Sequence, residues 1–261
     1  MDVVSILEST GPLLVSFPHS GTVVPENIKE TFTQAALSLP DTDWHVPRLY
    51  DFLADMPVST ITANYSRYLV DVNRFSEGSV LYPGQSETEV CPTTTFTEQD
   101  IYLSGKAPNK AQTQERIKAY WQPYHVALAA QLERIKAIHG YALLWDAHSI
   151  ASEVPRFFTG TLPDLNLGTA EGLSCQADIG NQLFLLMQQS QFSAVRDSRF
   201  KGGYITRYYG QPQTHIHAVQ MEIAQSAYME EHGDNVYDEG KADKLSKVLR
   251  LMTSELSRYK L

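Results

Sequence analysis

The sequence predicts an α/β fold, one domain over residues 1–261 built on a mostly parallel sheet flanked by helices. Three observations carry that expectation. Short apolar runs of strand length alternate with longer stretches in which apolar residues recur every three or four positions. The clearest amphipathic stretch leads directly into the most apolar run, as a helix feeding a buried strand does. No internal repeat and no linker divides the 261 residues, a length that can bury a sizeable core.

Taken in order, Leu13–Phe17 is apolar and bounded by Gly11-Pro12 and Pro18, so it reads as a buried strand ending in the turn Pro18-His19-Ser20-Gly21. The cluster Asp41-Thr42-Asp43-Trp44-His45 precedes a short helical pattern from Pro47, where one aspartate could act as a cap. Val58–Thr62 is a further strand candidate, and Tyr68–Val72 reads as another, with Arg67 at one end and Asn73-Arg74 at the other. The stretch Phe75–Asn109 is rich in Gly, Pro, Ser and Thr, and such a long polar connection points to a functional loop or lid. From Ala111 to about Ile138, Ile117, Trp121, Tyr124, Leu128, Leu132 and Ile135 mark one helix face, stopped by Gly140.

The run Leu143–Trp145 follows and stops at Asp146-Ala147-His148-Ser149. In an extended strand Asp146 and His148 share a face. Asp178–Gln189 has helical character, Lys201–Gly210 reads as a Gly- and Tyr-rich loop, Ala218–Ile223 is a strand carrying Glu222, and Lys241–Tyr259 is a closing helix.

Composition narrows the function. The net charge of −9 argues against nucleic acid or an anionic membrane as partner, although a few arginines in a cleft can still hold a small anion. Two cysteines without a C-x-x-C pattern indicate neither a zinc ribbon nor a disulfide framework. The first residues lack a signal-peptide pattern and no apolar run reaches about 18 residues, so a cytoplasmic protein is expected. There is no P-loop, no dinucleotide fingerprint and no nucleophile elbow around Ser149.

Three strands end in, or carry, groups suited to metal-assisted hydrolysis: His19, His148 and Glu222. Zinc in a hydrolytic site takes three nitrogen or oxygen ligands and leaves one position open. His19 and His148 supply two. Asp43 is the choice for the third, with Asp41, His45 and Asp146 as competitors. Glu222 is then free to act as general base, its alternative being a solvent-facing residue or an internal salt bridge. Arg67 and Arg74 gain meaning if the substrate is a carboxylate, and can share a site only if the chain bends near Asn73. His125 reads as a core histidine, while His139 and His232 carry no motif. His215 and His217 read as a loop pair, with substrate binding as the alternative.

Six stretches in this order resemble the N-formylglutamate amidohydrolase family: Phe17–Thr22, Asp41–Val46, Ser66–Arg74, Asp146–Ser149, Lys201–Thr206 and Gln220–Ile223. That family in turn resembles the zinc carboxypeptidase and aspartoacylase group, which implies a central mixed sheet. The resemblance implies one divalent metal, with Zn2+ expected, held by His19 and His148. Arg67 would polarise the scissile carbonyl, Asn73-Arg74 would hold a substrate carboxylate, and Glu222 would be the general base. The wider group has His-x-x-Glu, whereas Thr22 stands three residues after His19, so the carboxylate ligand must come from elsewhere. The implied activity is deformylation of N-formyl-L-glutamate to L-glutamate and formate in histidine degradation, on a small anionic N-acyl amino acid. Arg207 is the candidate for the second substrate carboxylate. A zinc hydrolase of another N-acyl amino acid or small peptide, or a non-catalytic carboxylate- or metal-binding protein, are the alternatives.

Overall fold

A computed structural model of the chain describes residues 2–78, 86–231 and 233–260. Among these residues seven strands form one mixed sheet in the order β1-β3-β2-β4-β7-β5-β6. They are β1 (Val4–Leu7), β2 (Leu13–Phe17), β3 (Val58–Ala63), β4 (Ala142–Ile150), β5 (Leu165–Gly168), β6 (Ala194–Arg196) and β7 (Ile216–Ala224). The neighbours β3, β2, β4 and β7 run parallel, while β1 pairs antiparallel with β3 and β5 antiparallel with β7. The helices are α1 (Glu26–Lys29), α2 (Gln34–Leu37), α3 (Val46–Leu49), α4 (Lys110–Arg116), α5 (Gln122–His139), α6 (Ala177–Gln188), α7 (Tyr204–Tyr209) and α8 (Glu239–Arg258).

Strand alternation sorts the core into two layers. Leu143, Trp145 and Ala147 face α3, α6 and α8, packing with Leu49, Leu183, Leu245 and Leu249. Ala142 and Leu144 face α5, with Tyr124, Leu128 and Leu132. Each buried Leu or Ile contributes about 1.5–3 kcal/mol over its exposed state. The second face changes character along its length. It begins apolar at Ala142, Leu144 and Ala218 and turns polar at Asp146, His148, Gln220 and Glu222, all of them buried. Because Asp146 pairs with Gln220 and His148 with Glu222, this polar set is assembled at the carboxyl ends of two adjacent parallel strands. That is where open α/β sheets form ligand crevices.

The predicted long helix is present as α4, a π-helical turn over Ile117–Trp121, and α5. It is closed by Gly140 at φ 82°, a left-handed position suited to glycine. Two expectations are corrected. Tyr68–Val72 is not a strand: Ser66 accepts from the Tyr68 N–H, Leu69 bonds back to the Ser66 carbonyl, and the Asp71 carboxylate accepts from the Asn73 N–H. These local bonds turn the chain where its apolar alternation suggests extension. Tyr204–Tyr209, read as loop from its flanking glycines, is the short helix α7.

The loop or lid expected over Phe75–Asn109 includes residues 79–85, which lie outside the described residues, as does His232. The rest of that loop supplies Ser86, Glu87 and Phe96 to the site. Among the described residues, no helix is long and apolar enough to cross a membrane.

Candidate active site

The polar strand ends open into a pocket that gathers His19, Asp43, Arg67, Asn73, Arg74, His148 and Glu222. The turn after β2 delivers His19, and the Asp43 N–H donates to the His19 carbonyl at 3.1 Å, tying the two segments together. One atom each of His19, Asp43 and His148 lie within 4.8 Å of one another, all three residues being buried. Asp43 Oδ2 is 3.1 Å from His148 Nδ1 and 3.9 Å from His19 Nδ1.

The far nitrogens of both rings meet carboxylates. His19 Nε2 lies 2.7 Å from Asp71 Oδ1, and His148 Nε2 lies 3.1 Å from Asp146 Oδ2. Asn73 Nδ2, a donor, also sits 3.0 Å from His148 Nε2 and could bond only to a lone pair there, whereas the buried Asp146 carboxylate takes a proton from the same nitrogen and is the stronger partner. With Nε2–H donated in each ring, both Nδ1 atoms face Asp43, so a cation taking the place of an Nδ1 proton would meet the arrangement in which carboxylates orient metal-binding histidines.

The donor set fits a divalent cation on a further observation. Asp43 Oδ1 is buried with no hydrogen-bond donor among the described residues, and the Arg67 Nη1 cation is 3.9 Å away. Burial opposes a charge on His148, but Asp146 and Asp43 outweigh it and hold this imidazole well above its ordinary pKa. Positive charge is therefore favoured beside Asp43.

The competitors for the third position are occupied elsewhere. Asp41 accepts from the Tyr68 hydroxyl at 2.7 Å and the Phe96 N–H at 2.9 Å. His45 donates from Nε2 to the Asn235 carbonyl. Asp146 stands behind His148 and accepts at Oδ1 from Ser16, whose hydroxyl is 2.7 Å from that of Tyr124.

On β7, burial pushes the Glu222 carboxyl up to about 7, with His148 opposing and Asp43 adding to the rise. The Gln220 amide donates to Glu222 Oε2 at 2.9 Å, and Gln220 Oε1 accepts the Gly203 N–H at 2.6 Å. Gly203 has no alternative here. A Cβ on it would lie 2.3 Å from the Asn73 amide nitrogen, and the Asn73 Oδ1 accepts from Ile205 N–H at 2.8 Å.

The bend that the sequence requires between Arg67 and Arg74 is present. Arg67 is buried, bonded to Asp71 Oδ2 at 2.7 Å and stacked 4.7 Å from the Phe96 ring centre. Arg74 instead contacts neutral acceptors, the Thr88 carbonyl at 3.1 Å first among them, and no carboxylate of the described residues forms a salt bridge with it. From behind, Trp121 Nε1 donates to the Arg74 carbonyl and His125 Nε2 to the Val72 carbonyl, gripping the turn on both sides of Asn73. His125 is a core histidine as expected, and burial lowers its pKa to about 4.

Arg207 does not line the pocket; its Nε donates to the Gly202 carbonyl within its own turn. His215 and His217 also stand apart, at the start of β7 and so at the opposite end of the strand from Glu222. The further arginine that does line the pocket is Arg199, which no motif marks although it lies two residues before the Lys201–Thr206 stretch. Asp71 and Gln220 fall within the family-like stretches, yet their contacts with His19 and Glu222 emerge only from the fold.

The sequence profile described as N-formylglutamate amidohydrolase matches residues 11–229. An N-formylglutamate deformylase of Pseudomonas aeruginosa is 43% identical over 256 residues, covering 98% of this chain and 96% of its own. One from Pseudomonas putida is 42% identical over 255 residues, covering 97% and 95%. The crystal structure of N-formylglutamate amidohydrolase from Ralstonia eutropha JMP134 superposes with a TM-score of 0.83 at 22% identity, covering 98% of this chain and 97% of that one, and so shares the fold. On the profile match and these identities, the chain belongs to the N-formylglutamate amidohydrolase family.

Proposed function

We propose that the protein hydrolyses the formamide bond of N-formyl-L-glutamate, giving L-glutamate and formate, with a divalent metal, zinc expected, held by His19, Asp43 and His148. The observation that carries this reading is the convergence of the two Nδ1 atoms on Asp43, with Glu222 beside His148 in the β4–β7 register. The names of the Pseudomonas relatives support the choice of substrate. The chemistry such an ion supplies when bound is Lewis acidity toward water and toward a carbonyl oxygen.

The remaining work falls to the chain's own groups. Glu222, with its pKa raised to about 7, accepts the proton of the attacking water and returns it to the amine as the C–N bond breaks. Gln220 fixes the direction of that carboxyl. Arg67, buried and already oriented by Asp71, offers its guanidinium to the oxyanion that develops on the formyl oxygen. Arg74, which rests on neutral acceptors, binds a substrate carboxylate with Asn73 beside it. Asp71 and Asp146 hold the two imidazoles in the ligating tautomer.

The test is metal content together with turnover on N-formyl-L-glutamate, N-acetyl-L-glutamate and a dipeptide. About one equivalent of divalent metal, loss of activity on chelation and its return on reloading are expected, with the formyl substrate preferred. Undiminished activity in metal-free protein, or no release of formate by the loaded protein, would reject the proposal.

A further inference from the structure

The proposed substrate carries two carboxylates, and Arg74 with Asn73 accounts for one. Arg199 enters the same pocket from the segment between β6 and α7. Its Nε donates to the Phe157 carbonyl at 2.6 Å, which fixes the orientation of the guanidinium fork. The Phe157 and Phe200 rings lie 5.7 and 5.2 Å from its Cζ, and both also line the pocket. A guanidinium held this way between aromatic rings is partly desolvated and binds a carboxylate more strongly than one in water. The two rings also offer an apolar wall to the methylene groups that separate the carboxylates of a glutamyl substrate. Glu87 lines the pocket as well, and its charge opposes a second anionic group unless a cation offsets it.

We infer that Arg199 is a specificity-determining residue that reads the side-chain carboxylate of the substrate, while Arg74 and Asn73 take the α-carboxylate. The pocket thereby selects N-acyl dicarboxylic amino acids over those with neutral side chains. The inference rests on the deformylase reading above. Its physical basis is asymmetric: a neutral side chain of the same shape desolvates the Arg199 guanidinium without returning a charge-assisted bond to it, so rejection exceeds what lost contact area alone would give.

The test uses the metal-loaded full chain and two isosteric substrates, N-formyl-L-glutamate and N-formyl-L-glutamine. The wild type should strongly prefer the first. Arg199→Gln should lower kcat/KM for N-formyl-L-glutamate by roughly 10- to 150-fold, the range of one charge-assisted hydrogen bond, mainly through KM. It should raise kcat/KM for the glutamine compound, because the guanidinium that a neutral side chain desolvates is gone, so the preference collapses. Arg199→Lys, which keeps the charge without the fork, should retain an intermediate preference. Arg74→Gln should lower both substrates alike.

The inference is overturned if Arg199→Gln keeps the wild-type preference, if it lowers both substrates equally, or if the preference collapses in Arg74→Gln instead. A wild type that hydrolyses neither compound rejects the deformylase reading and this inference with it. A wild type that is active but whose preference ignores Arg199 rejects this inference alone.

Discussion

The pocket has two walls built by different means. The proposed ion-binding wall stands mainly on the sheet: His148 and Glu222 are neighbours in the register of two central parallel strands, His19 lies just beyond the end of a third, and Asp43 comes from a connection tied to the His19 carbonyl. The proposed substrate wall, with Arg74, Phe157, Arg199 and Phe200, comes from connections between elements. The first is fixed by ladder hydrogen bonds and a packed core on both faces. The second is held by single side-chain bonds to carbonyls, such as Arg199 to Phe157 and Arg74 to Thr88. Rigid elements suit the reacting groups, which tolerate little displacement, whereas connections can change their reach without disturbing the core.

If that division holds, damage to the two walls should look different. The largest effect is expected at the base. Glu222→Gln keeps the shape and can still accept from Gln220, yet it cannot take a proton, so kcat should fall by about 10²- to 10⁴-fold with metal content intact. Near-normal turnover in this variant would remove Glu222 from the mechanism and with it the functional meaning of the first wall.

Asp71 probes where the walls join, because it touches His19, Arg67 and the Asn73 N–H at once. His19 and Arg67 hold its carboxyl well below the usual range, despite burial acting the other way. Asp71→Asn should therefore weaken metal binding by about 10- to 100-fold, measured by competition with a chelator. It should also lower the melting temperature, since Arg67 loses its buried partner. Unchanged metal affinity would show that the histidines need no carboxylate behind them and that the walls are independent.

The smallest effect is in pH. A base must be deprotonated to act, and Glu222 has its pKa raised to about 7 by burial. Activity should therefore be full above that value and fall about tenfold per unit below it. A cation bound beside Glu222 pulls the value down, placing the acid limb at or below pH 7 in the loaded enzyme. This limb should vanish in Glu222→Gln and persist in Arg199→Gln; the reverse pattern would break the comparison.

The difference between the walls also governs what is legible in the sequence. β4 and β7 can be read there because a near-continuous apolar run with polar residues at alternate late positions is the pattern of a buried strand whose end faces a site. His19, His148 and Glu222 stand out on the same ground, whereas Asp43, on no strand, is only one of several candidates there for a third ligand. The strands β1, β5 and β6 escape, being three or four residues long and at or near the sheet edges, where periodicity has little length to register. Tyr68–Val72 misleads in the opposite direction, since its apolar alternation resembles a strand while the Ser66 and Asp71 side chains impose turns. For the second wall, the Gly-rich loop reading offers Arg207 and passes over Arg199, yet Arg207 falls in helix α7 and bonds within its own turn. Nothing in spacing alone says which arginine a connection turns inward.

Gly203 gives the two walls a shared datum. Its N–H sets Gln220 and through it Glu222, while its bare Cα lies against the Asn73 amide that stands next to Arg74. The proposed base and substrate holder are thus both dimensioned from a single peptide. If the amino end of α7 drifts, both shift in the same sense, and the gap between them varies less than the position of either. A tolerance that would otherwise accumulate over the long path from β7 through the sheet to the Asn73 turn is shortened to one residue.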